Sequence, residues 1–87
     1  MKQVVILCPF YNDEASFIVF AEQIERLVHQ DTGRQFSFLV INDGTPEAEL
    51  RSNLPMTVVH LHRNIGHQKA IAIGLAYACE NLSFDQV

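Results

Sequence analysis

Phe36-Ser37-Phe38-Leu39-Val40-Ile41-Asn42-Asp43-Gly44-Thr45-Pro46 is the stretch that decides the fold. Its first part is almost wholly apolar and ends abruptly in a dense turn signal, with Asn, Asp, Gly and Pro close together. A strand that is apolar on both alternations is covered on both faces, which is the habit of parallel sheets. The same signature appears upstream in Val4-Val5-Ile6-Leu7-Cys8, rich in β-branched residues and stopped by Pro9. Between the two runs, Asn12 is a good N-cap, and Asp13 and Glu14 suit the positive end of a helix. Phe17, Phe20, Ala21, Ile24, Leu27 and Val28 then fall at helical spacing, so the pattern predicts a helix over 14–30 with Gly33 at its exit and its apolar stripe in the core.

Downstream, residues 46–53 read as a short polar helix. Residues 56–62 alternate as a third strand, with Val58 and His60 on one face and Val59 and Leu61 on the other. Arg63-Asn64-Ile65-Gly66 is a loop, and Ala70, Ile73, Gly74 and Tyr77 mark a second helix running to about Asn81. Gly74 within that helix is expected to serve close packing on the sheet, since glycine there costs about 1 kcal/mol relative to alanine. Phe84-Asp85-Gln86-Val87 resembles the approach to a fourth strand. Strand, helix, strand, connection, strand, helix is the order of an α/β fold with a parallel, Rossmann-like sheet.

Composition removes several function classes. The 87 residues carry 10 acidic side chains against 6 Lys or Arg, a net charge of −4, with 48% hydrophobic and 18% charged residues. Nearly half the chain is apolar, so disorder is excluded, and the acidic balance without a basic run argues against nucleic acid as a partner. No apolar run approaches the roughly 20 residues of a membrane span, and the N-terminus lacks the apolar length of a secretory signal. A chain this short buries only about 60–65% of its unfolded surface, which points to an incomplete domain. Cys8 and Cys79 form no C-x-x-C and are expected to be buried free thiols of a reduced cytoplasm.

In an open parallel sheet, ligands bind outside the carboxyl ends of the strands. Three polar clusters fall there: residues 11–14, 42–45 and 63–69. Asp43, with Gly44 behind it, can aim a carboxylate at the N–H donors of a nucleobase. Gly66 lets the helix starting near His67 offer free N–H groups to phosphate oxygens, and Arg63 adds a cation. Tyr11 and Phe10 can stack on a base. Each feature also has a plain reading: Asp43 as an Asx-turn or cap, Asp13 and Glu14 as a helix first turn, Arg63 as a solvated charge, Phe10 as core. His60-x-His62, with His67 nearby, lacks a Cys or carboxylate to complete a zinc ligand set. Neither G-x-G-x-x-G, Walker A, G-x-S-x-G nor H-E-x-x-H occurs.

Taken together, the clusters resemble family 2 glycosyltransferases. Pro9-Phe10-Tyr11-Asn12-Asp13 is similar to the family's P-x-Y-N-E, Ile41-Asn42-Asp43-Gly44-Thr45 to its V-D-D-G-S, and Leu61-His62-Arg63-Asn64-Ile65-Gly66-His67-Gln68 to its L-x-R-N-x-G-x-x. The third motif is most like the branch that transfers sugars to polyprenyl or dolichyl phosphate. The resemblance covers essentially the whole chain. It implies a GT-A fold of which residues 1–87 form the N-terminal, nucleotide-sugar-binding part, with Pro9, Tyr11, Asp13, Asp43, Arg63 and Gly66 as the substrate-binding residues and Asp43 reading the base. The partner it implies is a nucleotide-diphosphate sugar.

Two departures accompany it. Asn42 stands where the family has the first acidic residue of its D-D pair. The family's D-x-D, which holds the divalent cation (Mg or Mn), normally follows the fourth strand, so neither metal ligands nor catalytic residues are expected within these residues, and the chain alone is expected to be inactive. The family's tail helices, which tie some members to a membrane, are likewise not expected here. Two other readings stand beside this one: a non-catalytic nucleotide-binding domain, and a flavodoxin-like signalling or interaction module. The latter needs an aspartate at the end of the third strand, where His60-Leu61-His62-Arg63 stands. If only residues 84–87 start the fourth strand, the first strand keeps a largely unpaired edge and self-association through it is expected.

Overall fold

The computed structural model describes residues 2–46 and 48–87. Its elements run β1 (Lys2–Phe10), α1 (Glu14–Val28), β2 (Arg34–Asn42), β3 (Met56–His60) and α2 (His67–Asn81). The three strands form one parallel sheet in the order β1-β2-β3, a Rossmann-like α/β arrangement. Phe10 lies level with Asn42, and Asn42 with His60, so the three strands end side by side.

Strand alternation sorts the core into two layers. Val5, Leu7, Leu39, Ile41, Val59 and Leu61 face α2 and pack with Ala70 and Ala78. Ile6, Cys8, Phe10, Phe38, Val40 and Val58 face α1 and pack with Phe17 and Ala21. One helix therefore covers each face, which is why β2 is apolar in both registers: Phe38, Leu39, Val40 and Ile41 are all 0–1% exposed. Edge-to-face and tilted ring contacts of Phe17 with Phe10 and Phe38, both at 6.0 Å between centroids, fasten α1 to the sheet. Gly74 does serve close packing. A Cβ there would run into the Leu7 side chain and lie 2.9 Å from Ile41 Cγ1.

The structure departs from the sequence expectations in several places. β1 runs through Pro9 to Phe10. Val5 N–H donates to Gln86 O at 2.9 Å, so odd-numbered residues of β1 turn their backbone groups towards the open edge, and Pro9 forfeits no bond to β2. The α1 N-cap is Asp13, whose carboxylate accepts from Ser16 N at 3.1 Å, while Asn12 adopts a left-handed conformation (φ 53). Among the described residues of 46–53 there is no helix. Residues 48–54 run without regular secondary structure, laying Ala48, Leu50 and Leu54 on the α1 layer, and Glu25 of α1 holds them by accepting from Ser52 Oγ at 2.5 Å and Asn53 N at 2.7 Å. Tertiary packing overrides local propensity here. β3 ends at His60, so His62 lies beyond the strand and shares no strand face with it.

Burial also differs from the pattern in part. Leu27 is 66% exposed, because α1 meets the sheet mainly along Phe17, Ala21 and Ile24. Cys8 and Cys79 are free as expected, but Cys8 is only half-buried and Cys79 is exposed. Burial pushes the Cys8 thiol above its usual pKa. The start of a fourth strand is present as a parallel bridge between Val4 and Gln86, on the side of β1 away from β2.

Candidate functional site

The loops that follow β1, β2 and β3 are tied to one another by hydrogen bonds. Asp43 N–H donates to Phe10 O at 2.7 Å, and Asn12 N–H donates to Thr45 Oγ1 at 2.6 Å, joining the first loop to the second. Thr45 N–H donates to Asn42 Oδ1, and Asn42 Nδ2 donates to Thr45 O at 2.8 Å and to His60 Nδ1 at 3.1 Å. That arrangement fixes His60 with Nδ1 as acceptor and makes the buried Asn42, 2% exposed, the pin of the β2–β3 corner. An amide suits this place because it both donates and accepts, which the carboxylate of the family's D-D pair does not.

The second and third loops meet at Asp43. Its carboxylate accepts from Ile65 N at 2.7 Å, Gly66 N at 3.0 Å and Asn64 Nδ2 at 3.0 Å, and its carbonyl from Asn64 Nδ2 at 3.2 Å. Gly44 permits the approach. It sits at φ 90, and a Cβ there would be 2.5 Å from Asn64 N and 2.7 Å from Arg63 C. Gly66, at φ 97, is the N-cap of α2 and supplies no side chain, so the first-turn N–H groups of α2 are left facing out.

The residues named from the sequence divide accordingly. Tyr11 is 55% exposed and stands free for stacking, whereas Phe10, 4% exposed, is core. Pro9, Tyr11 and Asp13 line a small hollow of about 310 Å³ that His67 of α2 closes from the other side. Arg63, Gly66 and Lys69 line an adjoining hollow of about 710 Å³ at the N-terminus of α2. Arg63 is exposed and has no carboxylate partner among the described residues. Asp43, 2% exposed, lines neither hollow; it lies behind residues 64–66, which line the second, and is bonded to them. The bridging roles of Thr45 and Asn64 and the lining role of His67 were not assigned from sequence. A Thr two residues after the strand-end Asp was the available signal for the first.

A larger groove, about 1300 Å³, is lined at the opposite end of the sheet by Gln3, Arg26, Asp31 and Gln35. It is open, and two of its charges already pair: Asp31 takes Arg34 at 2.6 Å, which together with Gly33 N holds the Asp31 carboxyl below its usual range. The strand-end hollows are smaller but carry the converging unpaired donors, so we take them as the site. Among the described residues no group of three or more His, Cys, Asp or Glu is placed to hold a metal ion. The Asp43 carboxylate is consumed by N–H donors and one Asp13 oxygen by its cap, so these residues do not fit the divalent cation that the resemblance implies.

No family model matches the chain, and no solved structure matches it significantly. The chain is similar to YkcC of Bacillus subtilis (strain 168), described as an uncharacterized glycosyltransferase, with 31% identity over 88 aligned positions that cover 91% of this chain and 26% of that protein. It thus spans about a quarter of the length of the relative it matches, and the similarity supports a glycosyltransferase relationship.

Proposed function

We propose that these residues form the nucleotide-binding part of a glycosyltransferase that takes a nucleotide-diphosphate sugar, with a polyprenyl phosphate as the acceptor class suggested by the third motif. The observation that carries the reading is the convergence of three polar loops at the carboxyl ends of β1, β2 and β3, cross-bonded into one crevice with Tyr11 on one side and Arg63 on the other. Tyr11 offers a face for a base, with Pro9 and Asp13 beside it. Arg63, with the outward N–H groups beyond Gly66, offers positive potential for the diphosphate. The similarity to a glycosyltransferase favours this ligand class over other phosphate esters. Divalent-cation chemistry, if it belongs to the transfer, draws its ligands from outside these residues.

Calorimetric titration with UDP, GDP and dTDP tests the reading. At least one should bind, and Arg63→Ala should weaken it roughly tenfold or more, the loss of a charge-assisted contact of about 1.5–3 kcal/mol. Absence of binding by all three, or an unchanged affinity in Arg63→Ala, would refute it.

A further inference from the structure

The Asp43 carboxyl group is 2% exposed and unaccompanied by any cation within ion-pair distance among the described residues. A buried carboxylate persists when hydrogen bonds replace its hydration. Here three N–H donors do so, all from the β3–α2 loop: Ile65 N, Gly66 N and Asn64 Nδ2. An ionised carboxylate has about four acceptor positions. Three are taken by the loop, and the side chain's burial leaves no face open to a ligand.

At its start the loop's backbone lies against Gly44, at Arg63 and Asn64. Gly66 is at φ 97 with nothing within 4 Å of where a Cβ would be, so no packing around that position holds the turn in its left-handed form. Arg63 and Lys69 on either side are exposed. Past that contact, the bonds to Asp43 hold residues 64–66, and with them the direction in which α2 begins.

We propose that Asp43 is a positioning residue of the crevice: its carboxylate latches residues 64–66 in the ligand-free protein, presetting Arg63 and the start of α2, and it reaches a nucleotide only through that loop. This inference rests on the nucleotide reading of the site, and it replaces the direct contact with the base that the sequence motif suggests for Asp43. A latch and a base reader differ in what they discriminate. Loss of a base reader changes the ranking of bases, whereas loss of a latch weakens every nucleotide by the same factor, because the ordering of the loop is common to all.

The experiment uses Asp43→Ala and Asp43→Asn of the intact chain, each measured two ways. Amide exchange without ligand should show Ile65 and Gly66 exchanging roughly tenfold faster or more in Asp43→Ala, while Leu39 and Val40 of β2 stay protected. Calorimetry with UDP, GDP and dTDP should show affinity falling roughly ten- to a hundredfold for each nucleotide the parent binds, with the ratio between bases unchanged. Asp43→Asn keeps one acceptor oxygen and should fall between parent and Asp43→Ala, and it carries the test if Asp43→Ala does not fold. Unchanged exchange at Ile65 and Gly66, or an affinity loss confined to one base, would overturn the latch. A parent protein that binds none of the three nucleotides would refute the nucleotide reading instead, and the exchange measurement would still decide whether Asp43 holds the loop.

Discussion

Gly44→Ala is the substitution whose cost the structure lets us work out in parts. The residue sits at φ 90, where an L side chain crowds its own backbone, a strain of about 1–2 kcal/mol. The new Cβ would lie 2.5 Å from Asn64 N and 2.7 Å from Arg63 C, and both atoms are backbone, so no rotamer change relieves the overlap. Overpacking of this kind costs about 1–3 kcal/mol. The sum, about 2–5 kcal/mol, is a large share of the roughly 4–13 kcal/mol expected for 87 residues at ~0.05–0.15 kcal/mol each. Gly66→Ala provides the internal comparison, since φ is 97 there but nothing lies within 4 Å of its Cβ, leaving the strain alone. In urea, with a slope near ~1 kcal/mol/M for a chain of this size, Gly44→Ala should lower the midpoint by about 2 M or more and Gly66→Ala by about half that. Equal midpoints for the two variants, at unchanged slope, would refute the claim that the second and third loops touch backbone to backbone at Gly44.

Asp13→Ala removes the carboxylate that accepts from Ser16 N and should cost about 0.5–2 kcal/mol in thermal or urea unfolding, whether or not a nucleotide is present; a stability loss seen only with ligand would show that the cap contributes nothing. Glu25 has its pKa lowered by hydrogen bonds from the Ser52 hydroxyl, then Asn53, so it is bound more strongly as the carboxylate in the folded chain. Its contribution is therefore complete above the ordinary value of 4.5 and lost as the pH falls from there through the lowered folded value. Glu25→Gln should flatten that part of the stability profile, and a variant whose profile superimposes on the parent's would show that the anchor of the 46–53 segment lies elsewhere.

What was legible in the sequence was whatever local pattern alone controls. The two-faced burial of β2 follows directly from Phe38 to Ile41, and the positions of Phe17 and Ala21 on α1 follow from their spacing. What was not legible depended on partners distant in the chain. Residues 46–53 contain helix formers, yet Glu25 and the α1 layer hold residues 48–54 in a non-helical path. Leu27 keeps the helical phase of the stripe, but it is exposed one turn beyond Ile24, the last of that stripe in the α1 layer. Asp43 was recognisable as special, but a turn-forming Asp and a ligand-reading Asp have the same neighbours in sequence; the donors 21 to 23 residues away distinguish them.

Pro9 carries a consequence for whatever joins the sheet beyond Gln86. The Gln3 carbonyl and the Val5 N–H on the outer margin of β1 are already engaged by the 84–87 segment. Further along, alternation leaves Leu7 as a residue with both a donor and an acceptor to share, while Pro9 has an acceptor only. A strand growing along this margin parallel to β1 thus meets full reciprocity as far as Leu7 and half of it at Pro9. The imino ring works as a measured stop. The donor it withholds belongs to the last residues of the strand, level with Ile41 and beside the hollow that Tyr11 lines.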